Sequence, residues 1–103
     1  MNNLRVVVDA GHGGEDAGAV NGSVREKDLT LLIAREMYEE FQRRGIPVTL
    51  IRSVDETITP TERVNRILDA YGNNSNVVVI SNHINAGGGD NPSCKLTFFE
   101  KYI

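Results

Sequence analysis

A single cysteine, Cys94, stands in 103 residues. No internal disulfide can form, and a cysteine-built zinc site is excluded. Cysteine usage therefore says nothing of redox compartment. Positive charge is not in excess: the formal net charge is -3 and the pI about 5.3. That argues against nucleic acid or an anionic membrane as partner, since both call for a basic face. No apolar run approaches the ~20 residues needed to span a bilayer. Met1 to Arg5 shows no basic region leading into an apolar stretch, so no signal peptide is expected, and an extracellular role would need another delivery route. The glycine cluster Gly11–Gly14 lacks the third glycine of a dinucleotide fingerprint and does not open a helix, and no Walker lysine is present. His12-Gly13-Gly14 resembles an esterase oxyanion loop, but the chain has no Gly-x-Ser-x-Gly elbow. Repeats, low-complexity segments and linkers are absent too.

What is present is one small domain of ordinary composition, 40% apolar and 24% charged. Leu4 to Asp9 reads as a strand whose valine run suits a sheet buried on both faces. Gly11 to Gly22 reads as a loop. Ser23 and Glu26 have the spacing of a capping box, and Leu29, Leu32, Ile33, Met37 and Phe41 form the apolar stripe of the helix that follows. Gly45 suits its end. Pro47 to Ile51 reads as a second strand and Arg52 to Ile58 as a polar loop. Thr59-Pro60-Thr61-Glu62 forms a second capping box, with Val64, Ile67, Leu68 and Tyr71 as the buried stripe of a helix ended by Gly72. Val77 to Ile80 is a third strand, and Lys95 to Tyr102 a weaker candidate for a fourth. Alternating strands and helices predict an α/β fold, three-layered, with a mostly parallel sheet flanked by helices.

His12 and His83 are the only histidines. Each directly follows a buried-type strand and precedes glycines. If the first and third strands are neighbours, both imidazoles reach one sheet edge, the edge where open α/β sheets bind ligands. Such a pair suits a metal, with a third ligand from Asp9, Glu15, Asp16 or Glu26. The alternatives are plain. A loop histidine can be solvated, and capping alone explains Glu26. Glu15 and Asp16 can serve the loop, while Asp9 can orient a histidine from behind or simply end its strand. Gly87-Gly88-Gly89 reads as a flexible loop and Cys94 as structural or incidental.

Four blocks together resemble a known family: Val7-Val8-Asp9-Ala10-Gly11-His12-Gly13-Gly14, Arg25-Glu26-Lys27-Asp28-Leu29, Thr61-Glu62-Arg63-Val64, and Ser81-Asn82-His83-Ile84-Asn85-Ala86. Their order and spacing are similar to those of the zinc-dependent N-acetylmuramoyl-L-alanine amidases of the type 3 group, found in autolysins, other cell-wall hydrolases and phage endolysins. The resemblance covers residues 4 to 89. It implies cleavage of the amide between N-acetylmuramic acid and the first L-alanine of the stem peptide in peptidoglycan, at the bacterial cell wall, extracellular or periplasmic. It implies Zn2+ held by His12, Glu26 and His83, with Asn85 near the substrate, in a monomer. Metal-assisted hydrolysis follows, with a general base handling the protons. The family's catalytic glutamate lies in a later strand, and Glu100 does not match it. Residues 1–103 are thus expected to form the N-terminal part of a single amidase catalytic domain, with its last strands and helices missing. Two other readings stand beside this one. One is an inert murein- or zinc-binding remnant, and the other an unrelated flavodoxin-like domain without metal.

Overall fold

The first strand, β1 (Arg5–Ala10), is the spine of the fold. The computed structural model describes residues 3–86 and 94–102. Parallel neighbours flank β1: β4 (Val48–Leu50) with Val6 opposite Val48, and β5 (Val77–Ala86) with Val6 opposite Val78. On the far side of β5 lies β6 (Cys94–Tyr102), antiparallel, giving the order β4-β1-β5-β6.

Side-chain alternation along β1 explains why three valines in a row can all be buried. Val6, Val8 and Ala10 pack with Ala34, Leu31, Met37 and Phe41 of the helix α1 (Glu26–Arg43). Val7 turns to the other face, into a cluster with Ile51, Val77 and Val79. Ile67, Ala70 and Tyr71 of α2 (Pro60–Tyr71) close that cluster. One helix therefore covers each face of the sheet, the predicted three-layer α/β arrangement.

Several local readings need correction. Ser23 does not cap α1. Gly22 and Ser23 form the tight turn of a small hairpin, β2 (Val20–Asn21) with β3 (Val24–Arg25), inside and just after what reads as an open loop. Gly22 sits at φ 63°, a conformation that suits the first central position of such a turn. The helix begins only at Glu26, and loop carbonyls satisfy its first amides: Glu26 N–H donates to Ala19 O (2.8 Å) and Lys27 N–H to Ala17 O (3.0 Å). The apolar stripe of α1 is also rotated. Lys27, Thr30 and Ala34 are buried, while Leu32 is exposed. On α2, Ile67 and Tyr71 face the core, but Val64 and Leu68 are 53% and 39% exposed.

Other boundaries agree closely. The α1 helix ends in a Schellman arrangement around Gly45, with Gly45 N–H on Gln42 O and Ile46 N–H on Phe41 O. Beyond its valine run, β5 continues through Ser81 to Ala86, because β6 supplies a backbone partner along that whole length. Gly87-Gly88-Gly89 lies outside the described residues, as does the side chain of Cys94. No helix among the described residues is long and apolar enough to cross a membrane.

The α2 cap matches the reading from sequence: the Thr59 hydroxyl accepts from Glu62 N–H at 3.1 Å, and Pro60 takes the first helical position. Thr59→Ala should cost about 1 kcal/mol, seen as a lower urea midpoint at unchanged m-value.

Candidate metal centre

The chain leaves β1 for α1 and β4 on one side, and then crosses through α2 to β5 on the other. The crevice beyond the carboxyl ends of β1 and β5 is a point where strand order reverses, the usual location of ligands in such sheets. His12 lies two residues past the end of β1, and His83 is in β5 one residue beyond the Ala10–Asn82 pair.

His12, Glu26 and His83 converge in this crevice. His12 Nε2 lies 3.1 Å from Glu26 Oε2 and 3.4 Å from His83 Nδ1. Glu26 Oε2 is 3.6 Å from His83 Nδ1. The two rings meet nearly perpendicular, at 87°. One atom from each residue thus forms a compact triangle with two nitrogens and one oxygen. A tetrahedral zinc ion with ligand bonds of ~2.0–2.1 Å requires donor separations of about 3.3 Å. The donor set and its spacing fit such an ion, with the fourth position free for another ligand.

The Glu26 and His12 corners are held from behind. Glu26 is 4% exposed, and its carboxylate is fixed by two backbone amides: Ala19 N–H donates to Oε1 (2.9 Å) and Ile84 N–H to Oε2 (2.7 Å). The competing demands on Glu26 are thereby resolved, because no capping bond draws the side chain away. His12 Nδ1 lies 2.9 Å from Asp16 Oδ2. A carboxylate only accepts, so with Nε2 bound to an ion Asp16 would take the Nδ1–H and hold the ring in the ligating tautomer. This bond to His12 holds the Asp16 carboxyl below its ordinary pKa. Glycine is needed where backbone passes the rings. A Cβ on Gly11 would fall 2.6 Å from His83 Cε1, and one on Gly18 would fall 2.7 Å from both Glu26 Oε1 and His12 Cδ2.

Of the other carboxylates considered, Asp16 stands behind His12. Asp9, near the end of β1, is neither at the triangle nor behind a histidine: its buried oxygens accept from Arg63 and from Ser81 Oγ (2.8 Å). Glu15 donates its amide to Thr57 Oγ1 at 3.0 Å and is not part of the triangle. Asn85 lies in β5 opposite Lys95, and its side chain is outside the described residues.

Two arginines that shape the site went unread in the sequence. Arg52, in the supposedly polar loop, is 0% exposed. Its guanidinium donates to the carbonyls of Gly11 (3.2 Å), Lys27 (3.0 Å) and Val54 (2.9 Å), with a longer contact to Ala10 O at 3.4 Å. Burial lowers its pKa from the ordinary value, with the nearby Arg63 charge adding to the effect. Arg63, in α2, donates to the carbonyls of Ala10 (2.8 Å) and His12 (3.0 Å). An arginine directly after a short buried strand was the available signal for Arg52. Arg63 stood in one of the quoted blocks, but nothing in its spacing gave it a role.

A third anchor fixes Gly14. Lys27 Nζ donates to Gly14 O (2.8 Å) and to Asp55 Oδ2 (2.9 Å), and Gly14 N–H donates to Asp55 Oδ1 (2.7 Å).

The chain's similarity to known proteins follows the same lines. The family model described as N-acetylmuramoyl-L-alanine amidase (Amidase_3) matches residues 6–103. N-acetylmuramoyl-L-alanine amidase CwlM of Bacillus licheniformis is 38% identical over 104 residues, covering 97% of this chain and 36% of that protein. The sporulation-specific N-acetylmuramoyl-L-alanine amidase of Bacillus subtilis is 33% identical, again over 97% of this chain and 36% of the relative. Among solved structures, an N-acetylmuramoyl-L-alanine amidase from Clostridium difficile 630 superimposes with a TM-score of 0.75 at 28% identity, covering 90% of this chain and 50% of that one. The chain spans about a third of the length of these curated relatives and half of the solved structure.

Two outcomes test the supports. Arg52→Met leaves buried carbonyls without donors and should cost roughly 2–4 kcal/mol, measured by urea unfolding. Lys27, followed by Gly14 N–H, holds the Asp55 carboxyl below its ordinary pKa. The Asp55 tether is therefore intact above the ordinary carboxylate pKa and is lost as pH falls through the depressed value. The Gly14 amide proton shift should follow that titration, and Lys27→Met should move its midpoint upward.

Proposed function

The chain belongs to the Amidase_3 family of N-acetylmuramoyl-L-alanine amidases, and from that membership we propose that it carries a zinc site at His12, Glu26 and His83 that serves hydrolysis of the N-acetylmuramoyl–L-alanine amide of peptidoglycan at the bacterial cell wall. The observation that carries this reading is the triangle of donor atoms separated by 3.1, 3.4 and 3.6 Å.

When bound, zinc supplies Lewis-acid polarisation of the scissile carbonyl and a hydrolytic nucleophile at neutral pH. The chain's residues supply the rest of the described site. His12 turns Nε2 to the triangle, with Asp16 behind Nδ1 and placed to accept its proton once Nε2 holds the ion. Glu26 brings a carboxylate that two amides keep in place, so little reorganisation is needed on binding. His83 presents Nδ1 from a strand paired on both sides along its preceding residues. Both histidines are only partly buried, which leaves the crevice open to a polymeric substrate.

The decisive experiment is zinc content after exhaustive dialysis, for the wild-type chain and His83→Ala together, followed by a turnover assay on purified murein. About one zinc per chain is expected, lost in His83→Ala and reduced in Gly11→Ala, where the added methyl displaces the His83 ring. Folded wild-type protein without zinc would overturn the metal reading. Zinc without murein hydrolysis would leave a binding module in place of an enzyme.

A further inference from the structure

We propose that Arg63, anchored by Asp9, is a positioning residue for the metal centre: it holds His12 in a left-handed backbone conformation and so determines how its Nε2 is presented to a metal ion. This inference rests on the zinc reading above.

His12 has φ 65°, alone among the described non-glycine residues in having a positive value. A residue with a side chain disfavours this region, because its Cβ crowds the carbonyl oxygen that follows. Such a conformation persists only where its surroundings impose it, and it is found mainly at functional sites. Here the surroundings are specific. Arg63 Nη2 donates to His12 O at 3.0 Å, while Nη1 donates to Ala10 O at 2.8 Å and to the Asp9 carboxylate. Asp9 is tied in turn to β5 through Ser81 Oγ. The guanidinium therefore reaches from the last residues of β1 to the carbonyl of His12. It fixes the peptide plane that follows the histidine.

On the other side of the same residue, Asp16 grips the ring at Nδ1, and Asp16 is itself paired to Gly13 through two backbone hydrogen bonds. His12 is thus held at its carbonyl and at its ring. Freeing the carbonyl lets the backbone relax toward negative φ. That rotation swings the Cβ and draws the ring away from both Asp16 and the triangle. A fork of fixed geometry is needed to hold two carbonyls and a carboxylate together. A lysine ammonium could keep Asp9 paired but would not span Ala10 O and His12 O in the same way.

Arg63→Lys separates positioning from bulk stability, and Arg66→Lys serves as the control. Arg66 bonds Glu56, Glu62 and Ile51 O, away from the triangle. Two readouts are taken on folded protein. The first is the 15N shifts of the His12 imidazole in metal-free protein at a pH where the ring is neutral. The second is zinc affinity by chelator competition. In Arg66→Lys the shifts should match those of wild type. In Arg63→Lys they should depart from the wild-type values, as the ring leaves both Asp16 and Glu26, and zinc affinity should fall 10–100-fold. Wild-type shifts and wild-type affinity in folded Arg63→Lys would overturn the proposal, and so would displaced shifts with unaltered affinity. If wild type takes up no zinc, the zinc reading fails separately, and the metal-free shifts alone decide whether Arg63 positions His12. If Arg63→Lys does not fold, Ser81→Ala, which removes one anchor of Asp9, is read by the same criteria: movement supports the proposal and none overturns it.

Discussion

Two guanidinium groups gripping the carbonyls of Ala10, Gly11 and His12 are the interaction on which the site depends. At the end of β1 the chain leaves the ladder, and its carbonyls lose regular partners just where the sequence turns to glycine. Glycine permits the required path but does nothing to select it. Charge-assisted hydrogen bonds, each worth about 1.5–3 kcal/mol, supply the selection. They come from the loop after β4 and from α2, so the conformation of the glycine turn is imposed by distant parts of the chain. A guanidinium is not deprotonated in proteins, and that selection is not lost to a change in protonation.

The donor triangle follows from topology. Because β1 lies between β4 and β5, the crevice at its carboxyl end is bordered by the loop after β1, the start of α1 and the continuation of β5. One donor comes from each. The hairpin ahead of α1 contributes too, since it delays the helix start until Glu26 lies opposite Ile84 and beside Ala19, whose amides hold the carboxylate.

Much of this was legible in the sequence, and its failures share a cause. Valine runs marked β1 and β5, and histidines placed just beyond them marked the edge. Thr59 and Pro60 marked the start of α2. These signals are local. The face of α1 was misread because the apolar pattern assigns inward positions by hydrophobicity, whereas Lys27 and Thr30 are drawn inward by polar partners: Gly14 O and Asp55 for the lysine, Gly11 O for the threonine. Turning those two inward turns Leu32 out. Ser23 was misread because Gly-Ser fits a hairpin turn as well as Ser-x-x-Glu fits a cap, and only the pairing of Val20 with Arg25 decides between them. Arg52 and Arg63 were missed for the same reason. The turn carbonyls they hold, those of Gly11 and His12, are 41 and 51 residues away, and a carbonyl leaves no trace in side-chain identity.

The central place of β1 also bears on how the chain is made. Val6 pairs with Val48 and Val78, so β1 leaves a ribosome ahead of both its partners, which follow 42 and 72 residues later. At a synthesis rate of ~5–20 residues per second, the second partner follows the first strand by about 4–14 seconds. Until β4 emerges, Val6, Val7 and Val8 form an uncharged, β-branched segment with unpaired edges on both sides, and until β5 emerges one edge stays open as a template for another chain. Arg5 and Asp9, the charged residues on either side, are the only local deterrent to such association. Nascent chains held close together on one messenger would therefore be at greatest risk before β5 emerges.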